Sequence, residues 1–156
     1  MIDLERVKEK AENIINFYLD SNWEFQFIGL MIADTLKAIL VVGSGSFLGG
    51  AARYLVSLAM KNASKGFPWA TLVVNVAGCF LIGLLWGWLS RTSQMEGNLA
   101  LFLTVGICGG FTTFSTFSKE ALMLLQNGNV WGFVGYVLAS VVVGIAFVAI
   151  GYLLTK

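Results

Sequence analysis

Histidine is absent, proline occurs once, cysteine twice, and charged residues make up only 12% of the chain. The lack of histidine removes the usual metal ligand and the side chain that moves protons near neutral pH. No carboxylate cluster stands in the apolar stretches, so acid–base and metal chemistry have little to work with, and an enzyme is not expected. Cys79 and Cys108 both fall inside apolar runs and show no metal spacing; they read as small buried side chains. The Asn62-Ala-Ser64 glycosylation pattern is too short to carry weight.

What is present is apolar surface. Hydrophobic residues form 57% of the 156 positions, and the mean hydropathy is +0.78, which excludes an ordinary water-soluble globule. Four stretches, 36–60, 68–90, 98 to about 126 and 130–154, are each near or above the roughly 20 residues that cross a hydrocarbon core. The predicted fold is therefore an all-α membrane protein with four transmembrane helices in one domain, residues 36–156. Four helices enclose little interior space, so a continuous polar path is expected to be completed by a second copy. No cleavable signal peptide is expected, because the first 20 residues mix charge with scattered apolar positions.

Residues 1–35 differ from the rest. They carry seven acidic residues (Asp3, Glu5, Glu9, Glu12, Asp20, Glu24, Asp34) against three basic ones (Arg6, Lys8, Lys10). The remainder holds seven Lys/Arg and only two carboxylates, Glu96 and Glu120, a net of +5 that the whole-chain value of +1 hides. Leu4, Val7, Ala11, Ile14 and Tyr18 recur every three or four positions, which predicts an amphipathic helix of about four turns. Trp23, Phe25, Phe27 and Ile28 follow as a second apolar group. This segment reads either as a partner-binding or surface-lying helix with an aromatic anchor, or as a dispensable extension.

The most informative string runs from Gly106 to Ser118: Gly-Ile-Cys-Gly-Gly-Phe-Thr-Thr-Phe-Ser-Thr-Phe-Ser. Glycines and hydroxyls at membrane depth predict a broken helix, with a first half ending near Gly106 and a second starting between Ser115 and Phe117. Unwound backbone survives in hydrocarbon only where protein buries it or water reaches it. Unwound carbonyls suit a cation and a new helix N-terminus suits an anion, so the break reads as an ion or solute path. Phe111, Phe114 and Phe117 recur every three residues. Such a stripe is either packing or a set of ring edges, positive in their quadrupole, facing a small anion.

The other spans supply polar residues on matching faces. Thr71 and Asn75 stand four apart on the second span; Asn75 needs an external partner, as interhelical glue or as a pore-lining donor. Tyr136, Ser140 and Gly144 share one face of the fourth, where the hydroxyls either line the passage or bond to their own helix. Arg53 lies well inside the first span, where it either snorkels, caps carbonyls or attracts an anion. Pro68 opens the second span, and Gly45 and Gly49 on the first permit close helix approach.

Three of these strings, Gly49-Gly-Ala-Ala-Arg-Tyr54, Thr71-Leu-Val-Val-Asn-Val-Ala-Gly-Cys-Phe-Leu-Ile-Gly83 and Gly109-Gly-Phe-Thr-Thr-Phe-Ser-Thr-Phe-Ser118, resemble the Fluc/CrcB fluoride channels, in three successive spans and in the family's order. The resemblance covers residues 36–156. It implies a dual-topology homodimer of antiparallel subunits in the bacterial cell (inner) membrane, among lipid and without nucleic acid. It also implies two pores that export fluoride passively and a central structural sodium ion. By resemblance Asn75, Phe114, Phe117, Ser115 and Thr116, with Thr71 on the same face as Asn75, belong to the fluoride pore. Tyr136 and Ser140 match a hydroxyl track that Gly144 shortens, since a further serine can occur there. The backbone carbonyls of Gly109 and Thr112 match those that hold sodium. Ala70 replaces a glycine often found before the threonine.

Charge placement agrees with an inverted pair independently: Lys37, Arg91 and Lys156 flank one side and Lys61, Lys65 and Lys119 the other, which gives no preferred orientation. Two rivals stand beside this reading. A four-helix drug/proton antiporter would need a membrane carboxylate, for which Glu120, past the break, is the candidate. A non-transporting assembly subunit would use its glycines for packing alone.

Overall fold

The computed structural model describes residues 4–19 and 21–156. Asp3 and Asp20 lie outside the described residues, as do the side chains of Leu4, Tyr18, Trp23 and Glu24. The chain groups into two compact units, Met1–Ala38 and Ile39–Lys156. In the first, α1 (Leu4–Leu19) is a helix of 16 residues that leaves Val7, Ile14, Ile15 and Phe17 exposed. The helix α2 (Ser21–Ala59) contributes residues 21–38 to this unit and 39–59 to the second. Helix therefore begins well before the position 36 expected from the sequence. The reason is local: no proline interrupts 21–36, and the lone Gly29 costs about 1 kcal/mol against alanine, too little to end a helix.

The second unit is a bundle of apolar helices. After a short 3₁₀ turn at Ala63–Lys65, α3 (Trp69–Arg91) begins behind Pro68, which occupies the capping position and has no N–H to satisfy. The third span divides into α4 (residues 98–111) and α5 (Phe114–Gln126). Gly128, at φ +75°, turns the chain, and the Asn129 side chain accepts from Gly132 N–H at 2.9 Å to start the last span. That span, α6 (Val130–Thr155), completes four helices long and apolar enough to cross a membrane. No strand occurs among the described residues. The chain is an all-α integral membrane protein.

Two stretches widen to i→i+5 bonding, Leu101–Cys108 in α4 and Ala139–Val143 in α6. Such π segments recur at functional sites because they re-aim side chains without ending the helix. The glycines of the third span behave differently from expectation. Gly106, Gly109 and Gly110 are all helical, and the break falls after them, at Thr112 and Thr113. Their role is close approach: a Cβ on Gly106 would sit 2.9 Å from Gly45 Cα of α2, and one on Gly110 2.8 Å from Ser46 Cα. Without a hydrophobic force between helices in lipid, such backbone contact is what holds α2 and α4 together.

Candidate functional site

The break is two residues long. Thr112 (φ −79°, ψ 160°) and Thr113 (φ −151°, ψ 116°) are extended, so their peptide groups leave the helical ladder at membrane depth, where an unpaired group costs several kcal/mol. Asn75 of α3 repairs most of this. Its Nδ2 donates to Thr113 O at 3.1 Å, and Thr113 N–H donates to its Oδ1 at 2.8 Å. The carboxamide thus pairs with the broken backbone as a neighbouring strand would. Arg53 reaches from α2 and donates from Nη1 to Thr112 O at 3.3 Å.

Thr113 also starts the new helix. Its Oγ1 accepts from Thr116 N–H at 3.3 Å and donates to Thr116 Oγ1 at 3.0 Å, with Ser115 Oγ 3.3 Å away. Ser115 and Thr116 are therefore gathered at the N-terminus of α5 around one capping threonine. Thr113 was not among the expected site residues. A threonine immediately before an apolar helical run is the signal that marks it.

Glu120 is the second omission. This carboxylate is half-buried inside the bundle and accepts from Thr71 Oγ1 at 3.0 Å and from Tyr136 O–H at 2.8 Å. A charge at this depth is expensive unless donors surround it. Thr71 and Tyr136 supply them from α3 and α6, so neither hydroxyl bonds back to its own helix. Tyr136 is fully buried among Ala121, Leu124, Phe117 and Phe133. Its ring stands 5.1 Å from that of Phe117.

Phe114 and Phe117 stack at 5.7 Å between centroids. Phe111 does not join them, because it lies before the break; it borders Gly78 instead. Phe114 is 79% exposed on the isolated chain, an unusual state for an aromatic ring next to a helix break. Ser140, one turn after Tyr136, has a buried hydroxyl with no hydrogen-bond partner among the described residues. Gly109 and Thr112 line one cavity with Asn75 and Phe114, of about 390 Å³. Arg53, Thr71 and Thr116 line another, of about 200 Å³, on the other side of Thr113.

The whole arrangement, a helix broken at two threonines and clamped by an asparagine from the neighbouring span, falls inside a match over residues 40–152 to the family model described as CrcB-like protein, Camphor Resistance (CrcB). The chain belongs to the CrcB family. Relatives include proteins named fluoride-specific ion channel FluC. The one from Prosthecochloris aestuarii is 42% identical over 123 residues, 79% of this chain and 96% of that protein. Those from Methylobacterium sp. and Clostridium perfringens are 45% and 42% identical, covering 75% and 78% of this chain and 94% and 95% of theirs. The family match leaves out residues 1–39 and includes every site residue named above.

Proposed function

We propose that this CrcB-family chain is a fluoride-selective channel of the bacterial cell membrane, working passively as a homodimer of inverted copies with two pores. The observation that carries the reading is the clamped break together with the ring that leaves it. Asn75 holds Thr113 rigid, and Phe114 points off its own chain with 79% of its surface uncovered. A second copy would cover that surface and close a path that one bundle of four helices cannot enclose. The names carried by the relatives supply the ion.

The chemistry fits a small, strongly hydrated anion. Fluoride entering this path exchanges water for the hydroxyls of Ser115, Thr116 and Ser140, the second N–H of the Asn75 carboxamide, and the ring edges of Phe114 and Phe117. Closure by the second copy would set these donors between bulky rings and exclude a larger halide by size. Glu120 is held by two hydroxyls and is read as a structural and pathway-shaping group, and the relatives named fluoride-specific ion channels favour the channel over the antiporter. Nothing in the mechanism calls for a catalytic step.

A structural sodium ion belongs to the same proposal. Gly109 O loses its intrahelical donor because Thr113 N–H is given to Asn75, and Thr112 O keeps a second lone pair beside the long contact to Arg53. These are neutral, hard oxygens, of the kind that suits a monovalent cation. Gly109 and Thr112 from two copies would hold it, and its charge would offset the Gly109 carbonyl left without its helical donor and the remaining lone pair of Thr112 O.

Efflux from liposomes containing purified protein tests the reading. Fluoride should leave rapidly with no need of a proton or sodium gradient, and chloride should stay. Equal efflux of both halides would overturn the selectivity, and uphill fluoride movement driven by sodium or protons would make the protein a transporter instead.

A further inference from the structure

A further cavity, of about 350 Å³, lies where the turn before α3 meets α5. Its lining includes Lys65 from the 3₁₀ turn, Thr116, Lys119 and Glu120 from α5, and apolar walls from Phe67 and Leu124. The turn is tied down on both sides of Lys65. Ala70 N–H donates to Ser64 Oγ at 3.1 Å, and the Phe67 ring stands edge-on to Tyr136 at 5.5 Å. Thr116 also lines the cavity of about 200 Å³ that contains Arg53. The Thr71 to Glu120 hydrogen bond runs across the same boundary, with Thr71 in the Arg53 cavity and Glu120 in the larger one. Thr116 thus stands between a space lined by two lysines and a space lined by Arg53. An anion passing it meets the Glu120 charge, which repels it; three cations line the two spaces against that one carboxylate.

We propose that Lys65 and Lys119 form a cationic mouth of the fluoride path, drawing the anion into the cavity beside Thr116 and offsetting the repulsion of Glu120. The inference rests on the fluoride-channel reading and adds two residues to it. Both lysines are exposed, so they act on a hydrated anion through their field and do not bind it. A cleft lined by one sign of charge raises the local concentration of the opposite ion and its rate of entry. Salt screens such an effect. Chloride is drawn in as readily as fluoride, so the mouth sets the rate of entry, and the choice between halides is made deeper in the path.

Fluoride current through the full chain in planar bilayers tests this, with dilute fluoride and a non-permeant salt to set the ionic strength. At about 0.01 M, where the screening length is about 30 Å, Lys65→Gln/Lys119→Gln should lower the current by about threefold to tenfold. At about 1 M, where that length is about 3 Å, the difference should shrink below about twofold. Lys61→Gln removes the same charge near the turn but outside the cavity lining, and should change the low-salt current by less than about twofold. The sign of the charge is tested in Lys119→Cys with Cys79→Ala and Cys108→Ala. Aminoethyl or sulfonatoethyl methanethiosulfonate transfers its charged thioalkyl group to the new thiol, methanesulfinate leaves and the thiol proton passes to buffer. The ammonium adduct should return the low-salt current towards that of the parent, and the sulfonate adduct should depress it further.

The proposal is overturned if the two adducts, confirmed by mass spectrometry, change the current alike. A loss in the double lysine variant that is as large at high salt as at low salt also overturns it, since a packing role is not screened. So does a Lys61→Gln loss equal to that of the double variant, which would reduce the effect to general surface charge. If the unaltered protein passes no fluoride at all, the channel reading falls as well, which separates the two failures.

Discussion

The middle of α5 and its first residue are built on opposite plans. At Glu120, the carboxylate finds a donor from α3 and another from α6, and Tyr136 beside it is fully buried. At Phe114, only a few residues earlier, the ring touches Phe117 and is otherwise uncovered. The first is finished by the chain itself; the second is left open. Groups that a monomer can satisfy are structural first, whereas those it leaves open, the apolar Phe114 ring and the Ser140 hydroxyl, await an ion or a second copy.

The largest effect should come from Asn75, which clamps the break immediately before Phe114. In Asn75→Asp the carboxylate can still accept from Thr113 N–H, but it cannot donate to Thr113 O, and it stands as an unpaired negative charge where an anion must pass. Fluoride efflux from liposomes should fall by at least about a hundredfold, close to 3 kcal/mol of barrier. Size-exclusion chromatography should still show a dimer. Efflux near normal would reduce Asn75 to interhelical glue.

Next comes Phe114→Ile, which keeps apolar volume and removes the ring edge. Because Phe114 makes so few contacts within its own chain, unfolding in detergent should shift little, while efflux should drop about tenfold or more, as expected if ring edges contribute roughly 1–2 kcal/mol to stabilising a desolvated anion. A loss of stability as large as the loss of flux would mean that the open start of α5 is ordinary packing.

Much of this was legible in the residues. Helix number, the broken third span and the facing polar positions Thr71, Asn75, Tyr136 and Ser140 follow from apolar length and from spacings of four, which geometry converts directly into shared faces. The break itself is placed less well by sequence. Glycine signals either unwinding or close packing, and here Gly106 and Gly110 lie helical against Gly45 and Ser46, so the unwinding moved on to Thr112 and Thr113. Glu120 was harder still. Seen in sequence it is a charge past the break; only the folding of α3 and α6 around α5 brings Thr71 and Tyr136 to its two oxygens. The early start of α2 was hidden for a different reason, since the charges at Glu24 and Asp34 lower apolar content without ending a helix.

Tyr136→Phe tests the closed site at Glu120. It removes one of the two donors to the half-buried Glu120, and the loss of that bond should cost about 1 kcal/mol of stability. Denaturant unfolding in detergent checks this. Efflux should fall less than in Phe114→Ile, because Glu120 retains Thr71. An efflux loss exceeding that of Phe114→Ile, with stability unchanged, would move the Tyr136 hydroxyl from structure into the path.

The smallest effect should follow removal of residues 1–35. The family match begins at residue 40, and every residue argued to touch the ion, from Asn75 onward, lies beyond the cut. The deletion takes away seven of the nine carboxylates and three of the ten basic residues, which leaves Lys37, Arg91 and Lys156 facing Lys61, Lys65 and Lys119 and so preserves the balance that inverted insertion requires. It removes α1 and the first turns of α2 but keeps Gly45 and Gly49, the positions that α4 packs against. Fluoride efflux per dimer should therefore match the full chain within about twofold, a difference of roughly 0.4 kcal/mol in barrier. Loss of efflux in a truncated dimer of normal size would show that the acidic segment takes part in gating, and the division between a finished middle and an open start of α5 would have to include a third contributor.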